Sequence, residues 1–337
     1  MGGRSAELRI WWYAAGYFGC YVPYSALAKA LSGGDLPGMQ RGLSGLSLLP
    51  ISTLASLVGM FAFLSAMRWW RFAGQRRVLG LSLPFPGFWT FLSGVCTAGI
   101  IATTTLAYTF DGVSIVFMML LMRGGVLVIA PLTDFASGRR VRWFSWIALG
   151  LSMAALLVAF LGKSESSLAM TWVAAVDVVF YLLGYFVRLR FMSRLAKSDD
   201  LDLTKRYFVE EQMTATPLVV GTLALLALIG HGPEMLEIRS GFTQLWSSGR
   251  AATIIGVGVL SQGTGVFGGL ILLDRRENSF CVPVNRASSV LAGLLASLLL
   301  AVVLGLEMPG GAELAGAGLV ISAIVALSLP PLFAKRA

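Results

Sequence analysis

Apolar residues run in long blocks along this chain, each close to the ~20 residues a helix needs to cross a hydrocarbon layer. Ten blocks, at 10–31, 45–67, 87–109, 113–135, 143–162, 168–190, 208–230, 251–273, 279–304 and 314–333, read as ten transmembrane helices. The connections between them, such as Asp111 with Gly112 or the stretch 163–167, leave no room for a soluble domain. Lipid offers no partner to an exposed peptide group, so runs of this length are expected to be helical. The pattern predicts an all-α integral membrane protein.

Composition agrees. The 337 residues are 56% hydrophobic and 13% charged, where soluble domains carry about 25% charged residues. The net charge of +9 would suit a nucleic-acid partner, but the placement of the basic residues argues against one. With the N-terminus in the cytoplasm, the links on the inner side hold most of the Lys and Arg residues. These include Arg68, Arg71, Arg76 and Arg77, then Arg139, Arg140 and Arg142, then the cluster from Arg188 to Arg206. The outer side keeps only Lys29, Arg41, Lys163, Arg239 and Arg250. The positive-inside rule then puts both termini in the cytoplasm of a multi-pass protein of a bacterial inner membrane. Tryptophans such as Trp11, Trp12, Trp69 and Trp70 sit near span ends, as an aromatic belt would.

Little in the chain suggests metal or redox chemistry. Cys20, Cys96 and Cys281 lie in separate spans without paired spacing, and His231 is the one histidine. No metal site, catalytic group or cofactor is expected. The first apolar block is a full span without an evident cleavage site, so it is expected to stay in the mature protein.

Two halves of five spans follow, 1–165 and 166–337. WYAAGYFGCY at 12–21 lies over WVAAVDVVFY at 172–181 with Trp, two alanines and the last Tyr kept. Five is odd, so the second copy would enter the membrane from the opposite face. That arrangement is an inverted repeat, built around a central cavity at mid-membrane. Spans 3 and 8 are rich in small residues, which suits close packing or a transport site, and Gln262 tips span 8 toward lining a cavity. The outer link HGPEMLEIRSGFTQLWSSGR could fold as a short interfacial helix.

Arg123 and Arg286 carry the chemistry. Each sits inside a long apolar run, in the fourth span of its half. A guanidinium at membrane depth costs roughly 2.5–3.5 kcal/mol on insertion scales, so each marks a candidate site. Asp177, mid-span in the sixth block, is the obvious partner for one of them or a proton-coupling group. One acid for two bases leaves a positive charge that an anionic substrate could meet, through paired hydrogen bonds to carboxylate or phosphate. Asn285 and Gln262 are placed in the same substrate site, with Tyr17, Tyr21 and Tyr181 from the two aligned helices; Tyr24 and Tyr108 also lie within or near spans. A structural ion pair inside the bundle is the competing reading of the arginines. Glu210 and Glu211 read as first-turn residues that meet the helix dipole.

The chain resembles the drug/metabolite transporter superfamily, in particular its ten-span EamA-like members. The resemblance lies in YFGCYVPYSALAKAL of the first span and VVFYLLGYFVRLRFMSRLAK of the sixth. It lies also in the last two spans, where a helix carrying VPVNRASSV ends at Glu307 and a Gly/Ala-rich helix follows. The corresponding link in the first half, TDFASGRRVRW, has no matching glutamate. The resemblance implies a basket of ten helices around a cavity open alternately to each side.

The expected function is a secondary transporter for a small organic anion or amphipathic metabolite, phosphorylated or carboxylated. A proton or counter-substrate would drive it, since no Walker A sequence is present. The alternatives are a flippase for an anionic lipid or lipid-linked intermediate and, more remotely, an intramembrane enzyme. Substrate and membrane lipids are the expected partners, nucleic acid is not, and the protein would be a monomer or homodimer.

Overall fold

The structure, a computed structural model of the chain, describes residues 2–78, 81–106, 115–161 and 172–333. Eleven α-helices account for nearly all of these residues. They are α1 (Gly2–Gly33), α2 (Gly45–Ala66), α3 (Phe88–Leu106), α4 (Ile115–Ala136), α5 (Trp143–Leu161) and α6 (Trp172–Leu195). Then come α7 (Leu201–Ile229), α8 (Gly232–Thr243), α9 (Ala251–Leu272), α10 (Asn278–Leu304) and α11 (Gly311–Phe333). Among the described residues five helices, α2, α6, α7, α9 and α10, are long and apolar enough to cross a membrane. Helices α3, α5 and α11 hold shorter apolar stretches. The link at 163–167 lies outside the described residues.

One element departs from an all-helical chain. Strands β1 (Gln75–Val78) and β2 (Leu81–Pro84) pair antiparallel, Gln75 opposite Pro84 and Val78 opposite Leu81. The Phe85 amide donates to the Gly74 carbonyl at 2.7 Å and so extends the ladder. Arg76 stacks on the Phe85 ring at 5.2 Å from its centre. The two strands satisfy their peptide groups on one another.

Helices from the two ends of the chain interlock. Helix α1 packs on α9 and α10, while α6 packs on α3 and α4. Helix α2 lies against α9 and α7 against α3; α5 pairs with α11, α2 with α7, and α4 with α10. The small residues of α3 and α9 mark the crossings. A Cβ at Gly94 would stand 2.5 Å from Thr214 Cβ and 2.9 Å from the Glu211 carbonyl oxygen of α7. Gly258 abuts the Ser52 carbonyl of α2 and accepts a 2.7 Å hydrogen bond from the Ser56 hydroxyl. Close approach of backbones is what such residues permit.

The link between α7 and α9 does form a helix, α8. Its apolar residues Ile238 and Phe242 pack with Leu223 and Ala227 of α7. Gly241 fits against the Ser47 carbonyl and the Pro50 ring of α2. Leu236 and Trp246 stay exposed.

Candidate functional site

Arg123 enters from α4 and Arg286 from α10, and both line one pocket, with Leu127, Ser152, Leu156 and Val320 among its other walls. Ser152 lies near the middle of α5 and Val320 near the middle of α11, so the pocket is at mid-depth of those helices. Its empty space is about 250 Å³ with open sides counted. The part of it that can hold a water-sized sphere is only about 10 Å³, room for about one water, so the pocket is closed to a substrate in this conformation.

Tyrosines surround both guanidinium groups. A terminal nitrogen of Arg123 donates to the Tyr21 hydroxyl at 3.4 Å. The Arg286 guanidinium lies over the Tyr185 ring, 5.4 Å from its centre, a cation–π arrangement. Tyr17 and Tyr181 are buried within electrostatic reach of both arginines. The rings continue in two series, Tyr17 to Tyr21 at 5.4 Å and Tyr21 to Tyr24 at 5.6 Å on α1, and Tyr181 to Tyr185 at 5.0 Å on α6. Four helices thus converge: α1 and α6 bring hydroxyls and ring faces, α4 and α10 bring charge. Arg286 forms no ion pair with any described carboxylate, and its Nε is buried without a hydrogen-bond partner.

Two of the residues expected in the site, Asp177 and Gln262, face elsewhere, while Asn285 lies beside Tyr17. Asp177 is not paired with either arginine. It is 4% exposed, and among the described residues neither carboxylate oxygen has a hydrogen-bond partner and it enters no ion pair. The reason is its place on α6: Asp177, Tyr181 and Tyr185 are spaced four residues apart and share one face of the helix. The two rings hold the positions beside Arg286, and the carboxylate lies a turn or more away. Gln262 faces α2 rather than the pocket, its amide 3.5 Å from the Met60 sulfur. Asn285 is buried at the crossing of α9 with α1 and α10, where Gly268 leaves space for it and for Tyr17. Tyr108 lies outside the described residues.

A larger polar assembly joins the helix ends that carry most of the basic residues. Arg188 pairs with Glu211, which also accepts from the hydroxyls of Ser93 and Thr97 at 2.7 and 3.1 Å. Glu210 accepts from the Gly74 and Gly87 amides at 2.8 and 2.9 Å and from Thr90 at 2.6 Å, and so anchors the hairpin and the start of α3. Asp134, at the end of α4, accepts from the backbone and side chains of Asn278 and Ser279 and thereby caps α10. Arg142 makes a two-pronged bond to Glu277 at 2.7 and 2.9 Å, joined by Ser145 at 2.8 Å. Burial works to raise the Glu277 carboxyl, but the bonds from Arg142 and Ser145 hold it below the usual carboxylate value. Arg139 donates to the carbonyls of Ser193, Lys197 and Arg275. Almost every one of these contacts ties residues 1–165 to residues 166–337.

No family model and no curated protein matches the chain. Among solved structures it is similar to one described as "Crystal structure of protein", with 14% identity and a TM-score of 0.57 over 96% of this chain and 98% of that one. At that identity the likeness is one of fold alone, and it extends along nearly the full length of both chains.

Proposed function

We propose that the protein is a ten-span secondary transporter of the drug/metabolite type, which binds an anionic substrate between Arg123 and Arg286 by alternating access. The observation that carries the reading is that both arginines, one on α4 and one on α10, border one pocket. Beside it, Arg286 keeps its charge without a carboxylate. A guanidinium in a low-dielectric site binds carboxylate or phosphate through directed, charge-assisted hydrogen bonds.

The interlocked helices support an inverted repeat. What α1 does with α9 and α10, α6 does with α3 and α4; what α2 does with α9, α7 does with α3. The helices that meet their own counterparts are α2 with α7, α4 with α10, and α5 with α11. This is the pattern expected if 1–165 and 166–337 are two copies related by a two-fold axis. The axis would pass between α4 and α10, where the arginines meet. The basic ends then face the cytoplasm, and the contacts of Asp134, Arg142 and Arg188 close that side. Opening it would break them. Asp177, with its oxygens unpartnered, is assigned to proton coupling.

A thermal-shift screen of purified protein against phosphorylated and carboxylated anions tests the reading. A ligand selective for the native state raises the melting temperature. The expected result is a shift with at least one anion that is lost in Arg286→Gln. Equal shifts in wild type and Arg286→Gln would remove the arginine site.

A further inference from the structure

Ser152 lies midway along α5, 3% exposed, with its hydroxyl bonded to nothing. Serines and threonines in helices commonly donate to the carbonyl one turn back. Several in this chain do: Ser52 to Leu48 at 2.9 Å, Thr104 to Ile100 at 2.7 Å and Thr133 to Ile129 at 2.9 Å. Ser152 does not, and it borders the same pocket as Arg123 and Arg286. An unmade hydrogen bond of a buried hydroxyl is a cost, so its persistence beside a second orphan donor, Arg286 Nε, points to an absent acceptor. The remaining walls are aliphatic, from Leu127, Leu156, Ala287, Val290 and Val320, except for Ser289, whose hydroxyl is already committed to the Arg286 carbonyl at 2.7 Å. Next to them Leu157 and Ile321 are exposed, so α5 and α11 supply both the pocket wall and part of the apolar outer surface.

We infer that the substrate is an amphipathic anion, and that Ser152 is a specificity residue that donates to its head. The inference rests on the anion reading above and deepens it. A phosphate or carboxylate oxygen takes the Ser152 hydroxyl and Arg286 Nε, Arg123 balances the charge, and an aliphatic body lies along α5 and α11. A fully hydrophilic anion would leave the aliphatic wall unused; a neutral amphiphile could accept a hydrogen bond but would leave the arginine charge uncompensated.

The test uses the full chain in nanodiscs, with intrinsic fluorescence and melting temperature as readouts. The probes are hexyl phosphate, hexanoate, inorganic phosphate and hexanol. Hexyl phosphate or hexanoate should bind at least about tenfold tighter than inorganic phosphate, since each buried methylene adds affinity. Hexanol should not bind, and Ser152→Ala, with an unchanged melting temperature in the absence of probe, should weaken the amphiphile about tenfold. Displacement of the probe by phosphatidate in the nanodisc would identify a lipid as the source of the head group; no displacement would identify a soluble amphiphile. Unchanged affinity in Ser152→Ala, or inorganic phosphate binding as tightly as the alkyl anions, overturns the inference and leaves anion transport standing. Failure of every anion to bind overturns both.

Discussion

Arg188 of α6 and Glu211 of α7 form a two-pronged ion pair, Nε to Oε1 at 2.8 Å and a terminal nitrogen to Oε2 at 3.0 Å, with side chains 8% and 0% exposed. Breaking a buried pair by removing one partner leaves a charge without compensation and commonly costs about 3–5 kcal/mol. Arg188→Met should destabilise the protein by that order. The double variant Arg188→Met/Glu211→Leu should lose less than Arg188→Met alone, because no charge is stranded. Thermal unfolding of the three proteins in one detergent compares them directly. A double variant less stable than Arg188→Met would contradict the assignment.

The α3–α7 crossing gives a steric prediction. Gly94 meets Thr214 and the Glu211 carbonyl so closely that a side chain must push the helices apart. Gly94→Val should cost about 1–3 kcal/mol, the range for overpacking. Gly99→Ala, on the same helix with nothing within 4 Å of its Cβ position, is the control and should leave the melting temperature nearly unchanged.

Glu277 sets an acid limit. Its carboxyl is held below the ordinary value near 4.3, so its contribution is complete above that value and is lost as pH falls through the lower folded value. Melting temperatures of wild type and Glu277→Gln should therefore differ most at neutral pH and converge as pH falls below about 4. A gap that stays constant from pH 7 to pH 3 would show that the Arg142–Glu277 contact contributes no linked stability.

The proposed ten-span, inverted arrangement makes a prediction about sides. In a variant lacking Cys20, Cys96 and Cys281, Arg77→Cys in the hairpin should react with an impermeant maleimide only from the cytoplasm. Glu234→Cys in α8 should react only from outside. Both positions are exposed. Labelling of the two from one side would remove the topology.

Several parts of this fold were readable from residue order, and the failures have physical causes. Arg123 and Arg286 stood out because an apolar run has no local use for a charge. The same rule applies to Arg188, within VVFYLLGYFVRLRFM, but its neighbours Arg190 and Arg194 made it look like part of a basic helix end. Glu210 and Glu211 were read as first-turn residues because apolarity begins at 208. Helix α7 in fact begins at Leu201, which sets both glutamates well inside it, facing α3 and α6. Asp177 was paired with an arginine by charge alone, whereas α6 turns Tyr181 and Tyr185 toward Arg286 instead. Gln262 looked like a cavity residue, but α9 uses that face to pack on α2. The pair of strands β1 and β2 has no length or periodicity to announce it within a basic link. Ser152 is one hydroxyl among many in apolar helices, and only its unmade bond sets it apart.

The central claim, that Arg123 and Arg286 bind one anion for transport, is tested most directly by counterflow in proteoliposomes. Wild type, Arg123→Gln, Arg286→Gln and Asp177→Asn would be reconstituted at equal density with an anion chosen from the binding screen. Both arginine variants should lose at least about tenfold of the exchange rate, as expected for loss of a charge-assisted contact. Asp177→Asn should keep exchange and lose accumulation driven by a pH gradient. Exchange at the wild-type rate in both arginine variants, with folding intact, would contradict the account.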